Sequence, residues 1–352
     1  MPPKPKPPFV PHSRALTLLY AEVETVALQQ REVFVGTAGS VIERTNAADF
    51  RYYAHQFYDG SGKQRERYLA GSTDSSEANA SAEALRARIQ ETKDLVGTLR
   101  MLGRERFNLV DRKTYATLAA LHNHGVFRAG GMLIGSHAYG VLLNRLGVRA
   151  TPYATEDIDI ARREALAFDE VPSKALLEIL RESGIDFVEV PSLDRKQPAT
   201  SFKQKGRARF QVDLLVPSRN ETYPVVPVPE LGANATGLPY LGYLLAESQV
   251  GALMAREGCC AVRVPVPERF AVHKLVVSRL RSGRAGKSDK DVRQAIVLSA
   301  ALAELDSGAI ESAVAALPKR ATKHFRAALR AARPTLEASA PRAWEELSSA
   351  GA

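Results

Sequence analysis

Cysteine is nearly missing from this chain: of 352 residues only Cys259 and Cys260 qualify, and they are adjacent. Neighbouring cysteines rarely bridge and give no metal-ligand spacing, so a disulfide framework and a cysteine zinc site are both excluded. They read as reduced thiols. Long apolar runs are missing too; nothing approaches the roughly 20 residues that a membrane-spanning helix needs. The first residues lack the charged-then-apolar pattern of a secretory signal. No internal repeat is present, which sets aside solenoids and propellers. The expectation from these absences is a cytoplasmic protein.

What is present is an ordinary globular composition, 45% hydrophobic and 25% charged residues, in a chain long enough for two or three domains. The formal net charge is +9, which favours anionic partners such as nucleotides, RNA or DNA.

The opening MPPKPKPPFVPH is proline-rich and basic, and residues 1–13 are expected to form a disordered tail. Ala15–Gln30 carries apolar residues at helical spacing. From Gly39 to Gly71 the period changes to Tyr- and Phe-containing runs broken at Asp59-Gly60, which predicts a small antiparallel meander. Ser75–Leu102 predicts one long helix ending near Gly103. A second helix over Arg112–His124 has Asp111 as its N-cap and Gly125 as its stop. Met132-Leu133-Ile134 reads as a short buried strand, His137–Leu146 as a helix closed by Gly147, and Asp157–Ala161 as a strand. A helix is expected over Ser173–Ser183, with strands at Phe187–Val190, Ser201–Lys205 and Arg207–Val216 and a turn near Gly206. Beyond Pro267 the chain reads as helical, with breaks near Gly283–Gly286, Pro318 and Pro334. The fold class is therefore α+β, organised as an N-terminal helical and meander region over 14–126, a mixed-sheet core over 127–267 and a helical domain over 268–352.

The chemistry centres on GSHAYGVLLNRLGVRATPYATEDIDI, residues 135–160. Side chains two apart on a strand share a face, so Asp157 and Asp159 point together while Ile158 and Ile160 face the core. Two like charges so close repel and raise one another's pKa unless a cation lies between them. Mg²⁺ suits such a site, with Mn²⁺ as the alternative ion, because it takes one or two carboxylates and completes its shell with water and phosphates. Asp213, in RARFQVDLLVP, sits where Phe210, Val212 and Leu214 alternate away from it. If its strand neighbours that of Asp157, three carboxylates converge and two ions could be held, clamping the attacking and leaving oxygens of a phosphoryl-type transfer. Asp213 could equally pair with Arg207 or Arg209. Gly135-Ser136 adds a close backbone approach and the free N–H groups of a helix start, which suit phosphates.

A Gly-Ser opening a helix, an acid-x-acid strand and one acid on a later strand resemble the nucleotidyltransferase fold shared with polymerase β. Gly147-Val148-Arg149 followed by Thr155-Glu156-Asp157-Ile158-Asp159, with VDLLVP, VPVPERFAVHKL and SDKDVRQA further on, is similar to bacterial members related to abortive-infection toxins. The resemblance spans about Met132 to Leu298. It implies transfer of a nucleoside monophosphate from an NTP, tRNA as the acceptor in several relatives, and a nucleotide site completed by Lys274 and Asp291. Read from their surroundings alone, those two residues are surface charges on helices.

On this combined reading Asp157, Asp159 and Asp213 hold the metal, and Asp213 also helps deprotonate the attacking hydroxyl. Ser136 and nearby amides bind the β- and γ-phosphates, and Lys274 offsets charge on the transferring or leaving phosphates. Asp291 holds Lys274 or a ribose hydroxyl. His137 follows the Gly-Ser, yet a polar residue in a first helical turn needs no function, and Tyr139 reads as core. Gly286-Lys287-Ser288 resembles the end of a P-loop but lacks the first glycine and a preceding strand. Lys63, Arg65 and Arg67 interleave with Tyr52, Tyr53 and Tyr58, as on a single-stranded RNA surface; charged edge strands that deter aggregation are the preferred account. Arg279, Arg281, Arg284, Lys287 and Lys290 form a denser cluster, where RNA contact is expected. Transfer to a protein or small molecule, and a catalytically idle binding or antitoxin module, are the alternatives. Four intact site residues, Ser136, Asp157, Asp159 and Asp213, argue against idleness.

Overall fold

A computed structural model describes residues 6–151, 155–170, 172–192, 194, 196–280 and 285–351. It opens with β1 (Val10–Pro11) and α1 (Arg14–Gln29), whose Ser13 hydroxyl accepts the Leu16 N–H and so satisfies one of the helix's open donors. The strands β2 (Ser40–Thr45), β3 (Arg51–Tyr58) and β4 (Gln64–Ser72) form an antiparallel sheet in sequence order. The long helix α2 (Ser76–Arg104) covers one face of it, burying Tyr53 against Ala78 and Ala82. In α3 (Arg112–Asn123) the Asp111 carboxylate accepts the N–H groups of Lys113 and Thr114, as an N-cap should.

The central sheet is built next. Its elements are β5 (Met132–Ile134), α4 (Gly135–Arg145), β6 (Val148–Arg149), β7 (Asp157–Ala161), α5 (Leu176–Arg181), β8 (Phe187–Glu189) and β9 (Ser201–Gln204). After these come β10 (Gln211–Ser218), β11 (Val225–Val228), β12 (Ala233–Pro239) and α6 (Leu241–Leu244). The strand order is β11-β12-β10-β7-β5, and β9 joins the free edge of the first half of β10 and carries β8. β7, β10 and β12 are parallel to one another, and β5 is antiparallel to β7. Period-two alternation puts Ile158, Ile160, Val212 and Leu214 in the core and leaves the intervening residues facing a cleft.

A hairpin of β13 (Ser248–Met254) and β14 (Cys259–Pro265) backs the sheet at β5, and its outer side meets α1 and α2 through Ala252, Met254 and Cys259. The chain then turns helical: α7 (Pro267–Ser278), α8 (Ala285–Leu305), α9 (Ala309–Ala315), α10 (Lys319–Ser339) and α11 (Pro341–Ala350). These helices close a second core around Leu275, Phe325 and Leu336. Both cysteines are free and buried. Among the described residues no helix is long and apolar enough to cross a membrane.

The α+β architecture is as expected, and several boundaries move. The tail is not disordered through residue 13: Val10 and Pro11 pair with Arg149 and Val148, and the His12 ring stacks on Phe107 at 3.9 Å. The helix expected over Ser173–Ser183 starts only at Leu176, because the Glu178 carboxylate accepts the Ala175 N–H at 3.0 Å and sets the start there. The strand expected from Arg207 begins at Gln211. Pro334 does not break its helix: α10 runs through it to Ser339. The residue lies on the solvent side, where water can take the carbonyl left without a donor, while Phe325, Leu329, Ala332 and Leu336 keep the opposite face buried. Packing crosses both expected divisions of the core. Tyr115, Leu118 and Leu121 of α3 share the core of the sheet, as do Phe270 and Ala271 of α7, whereas Val272 and Leu275 enter the helical core.

Leu142, on the buried face of α4, is fully enclosed. Leu142→Ala is expected to lower unfolding stability by about 2–5 kcal/mol, read from the urea midpoint at unchanged m-value.

Candidate active site

The acids meet through strand register. β10 lies parallel to β7 with Asp213 opposite Asp159 and Gln211 opposite Asp157. Partners in a parallel ladder point to the same side, so all three carboxylates face one cleft. On the other side of β7, Ile134 is opposite Asp159, which brings the turn into α4 beside the same carboxylate. Gly135 has φ +70°, and a Cβ placed on it would stand 2.1 Å from Asp159 Oδ2. Only glycine fits there, for its backbone angle and for that close approach.

A cavity of about 610 Å³ opens over these residues. Gly135, Ser136, Asp157, Asp159 and Asp213 line its sheet side, and Lys274, Lys287, Lys290 and Asp291 face them from α7 and α8. The residues named from the sequence for metal and nucleotide, Gly135, Ser136, Asp157, Asp159, Asp213, Lys274 and Asp291, all line this cavity. Lys274 and Asp291 are not surface charges. Their side chains are only 10% and 2% exposed and form an ion pair at 2.7 Å, with the Lys274 ammonium also 5.2 Å from the centre of the Phe270 ring. Asp291 holds Lys274, which is one of the two roles expected of it. A buried lysine is costly without such a partner.

Lys287 and Lys290 of the basic cluster line the cavity itself. The Lys287 ammonium stands 4.0 Å from Asp157, and Lys290 lies half-buried in the cavity wall. Burial, and Lys274 nearby, lower the Lys290 pKa, while Asp291, Asp157 and Asp159 oppose that shift. Arg279 is exposed at the end of α7, and Arg281 and Arg284 lie outside the described residues. In the meander, Lys63 precedes the strand, and Arg65 is held by Asp59 at 2.6 Å.

Asp213 takes a hydrogen bond from Gln211 Nε2 at 2.6 Å and pairs with neither Arg207 nor Arg209, which fall in the loop before the strand. Gln211 was missed from the sequence, though its position two residues before Asp213 on a strand carries the signal. The donor set suits a hard divalent cation, since all three groups are carboxylates. In the present side-chain arrangement, however, no three His, Cys, Asp or Glu groups among the described residues converge on a point that could hold a metal. Asp157 is turned toward Lys287 and Asp213 toward Gln211.

His137 is buried behind the first turn of α4, and its Nε2 has no hydrogen-bond partner among the described residues. Burial pushes its pKa down to about 4. The ring is thus neutral near pH 7 and supplies no charge to a phosphate. Tyr139 is core, as expected.

A glycine-opened helix beside an acid-bearing strand pair is thus closed over by cationic helices. The nucleotidyltransferase family model matches residues 112–319, more than half of the chain, and the chain belongs to that family. A search of curated proteins and a search of solved structures each found no match.

Two outcomes follow from the buried charges. Lys274→Met is expected to cost about 1.5–3 kcal/mol in a urea melt by removing its charged hydrogen bond to Asp291, and adding Asp291→Leu should recover part of that loss. The second concerns pH. Burial lowers the pKa of His12, His55, His122 and His137 below 6.5. Unfolding therefore takes up protons: stability is complete above about pH 6.5 and declines as pH falls toward the folded-state values. The His137 shift, from 6.5 to about 4, corresponds to about 3 kcal/mol lost by pH 4. Melting temperature should fall steadily from pH 7 to 4.5, and less steeply in His137→Leu.

Proposed function

We propose that this protein transfers a nucleoside monophosphate from an NTP to an RNA end, with tRNA as the favoured acceptor. The observation that carries the reading is the in-register placement of Asp159 and Asp213, with Asp157 on the same face, in one cavity with Gly135-Ser136 and the buried Lys274. Family membership supports nucleotidyl transfer as the reaction. The +9 charge of the chain supports a polyanionic acceptor.

Asp157, Asp159 and Asp213 are the residues that would hold Mg²⁺, or Mn²⁺, as one or two ions; the metal supplies positive charge to the triphosphate and to the oxygens exchanged at phosphorus. Ser136 and the amides of the first turn of α4 bind the β- and γ-phosphates. The Asp213 carboxylate is placed to take the proton of the attacking hydroxyl. Lys274, fixed by Asp291, offsets the charge that grows as pyrophosphate leaves, and it does so without rearranging because its position is already held. Lys287, now beside Asp157, is free to turn to the phosphates once that aspartate has another cation.

The test is label transfer from each of four α-³²P NTPs, with Mg²⁺, onto total RNA and onto protein. Label in a tRNA-sized band is expected, and Asp157→Ala should abolish it while melting within about 1 kcal/mol of the wild type, since it relieves repulsion between carboxylates. Label on protein instead would select the protein-acceptor reading. No label from a folded wild-type protein would favour a binding module.

A further inference from the structure

The two ends of the cavity differ. Across the sheet, β5 with Gly135 and Ser136 lies to one side, β7 and β10 with the acids lie in the middle, and β12 and β11 lie beyond. On that far side the wall is Leu238 and Pro239 of β12, Leu241 of α6, and Tyr223 from the connection between β10 and β11. Adjacent strands are about 4.8 Å apart, so β5 and β12 stand about 14 Å apart across the acids. That is enough to separate a leaving group from an attacking one.

Tyr223 is 59% exposed at the mouth of the cavity, on a connection that is braced from behind. Glu221, two residues earlier, accepts the Tyr240 hydroxyl at 2.5 Å, has His324 Nε2 at 3.3 Å and has the Lys323 ammonium at 3.9 Å. Tyr240 itself holds a φ of +60° between two cavity residues, Pro239 and Leu241. Such a backbone is uncommon for a tyrosine and persists only where its surroundings hold it. An aromatic ring exposed beside a cleft, on a connection whose neighbouring residue is braced, offers its face to another flat ring.

Exposed cations lie on the elements next to it: Arg219 is four residues earlier in the chain, and the Lys323 ammonium is 3.9 Å from Glu221 of the same connection. Arg219, Lys319, Arg320 and Lys323 are exposed, and the first turn of α10 is tied to the connection through Tyr240, whose hydroxyl lies 3.3 Å from the Arg320 carbonyl. Two lysines of the cluster expected to meet RNA, Lys287 and Lys290, line the acid cavity. Transfer at phosphorus runs in line, with the attacking oxygen opposite the leaving one. If pyrophosphate leaves from Gly135-Ser136, a premise that rests on the proposed function, the acceptor enters past Tyr223.

We propose that Tyr223 is the stacking platform for the terminal nucleobase of a single-stranded RNA 3′ end, and that Arg219, Lys319, Arg320 and Lys323 contact its phosphates. Stacking without edge contacts tolerates any base, and charge contacts make binding depend on salt.

The probe is an eight-nucleotide single-stranded RNA with a free 3′ hydroxyl and a 5′ fluorescein, titrated by anisotropy over a NaCl series. Tyr223→Ala should weaken binding about tenfold or more, and Tyr223→Phe should stay within about twofold of the wild type. The triple variant K319A/R320A/K323A should flatten the salt dependence by about 0.7 in log–log slope for each phosphate that it no longer neutralises. Equal RNA binding by Tyr223→Ala and the wild type, or no RNA binding by the wild type, overturns the proposal. Label transfer separates the two readings. RNA that binds through Tyr223 but receives no label leaves the surface standing and removes RNA as the acceptor. Label transferred to RNA with the same KM by Tyr223→Ala leaves the transferase reading standing and removes the surface.

Discussion

Three carboxylates on two adjoining strands repel one another, and the rest of this molecule is arranged around that repulsion. On the sheet itself, Gln211 offers Asp213 only a neutral amide. Positive charge comes from the C-terminal helices, which bring Lys274, Lys287 and Lys290 over the cleft. The helical region is in this sense part of the site, which explains why α7 packs into both cores rather than hanging from one.

The same constraint accounts for the division of labour among the lysines. Lys274 is buried and committed to Asp291, so its position is set before any substrate arrives. Lys287 is exposed and only loosely near Asp157, and pairs of that kind contribute little to stability. One cation is preorganised and the other is available to exchange partners. On the proposed reaction, which binds a triphosphate and releases pyrophosphate, both have a use.

Much of this is legible in the chain alone. The alternation in DIDI and QVDLLV decides which residues face the cleft, and Asp111, Ser75 and Gly125 mark helix ends that the structure keeps. Where local rules fail, burial overrules them. Pro334 remains helical because the opposite face of α10 is packed. Lys274 and Asp291 look like surface charges in sequence because each is judged by its neighbours along the chain, and neither partner is near the other there. The apolar wall with Tyr223 is invisible for a similar reason: β11 and β12 carry proline, and nothing local says that they border the acids.

The sequence by itself determined the α+β class, the acid-bearing strand faces and the glycine that opens α4, because each depends on a period or a backbone angle that a few adjacent residues specify. Tertiary structure alone decided that Asp213 is level with Asp159, that Lys274 is paired within the protein, and that Tyr223 stands at the far mouth of the cavity. Strand register, ion pairing and cavity shape are relations between segments distant in the chain, and they come into being only when the whole sheet and its covering helices pack together.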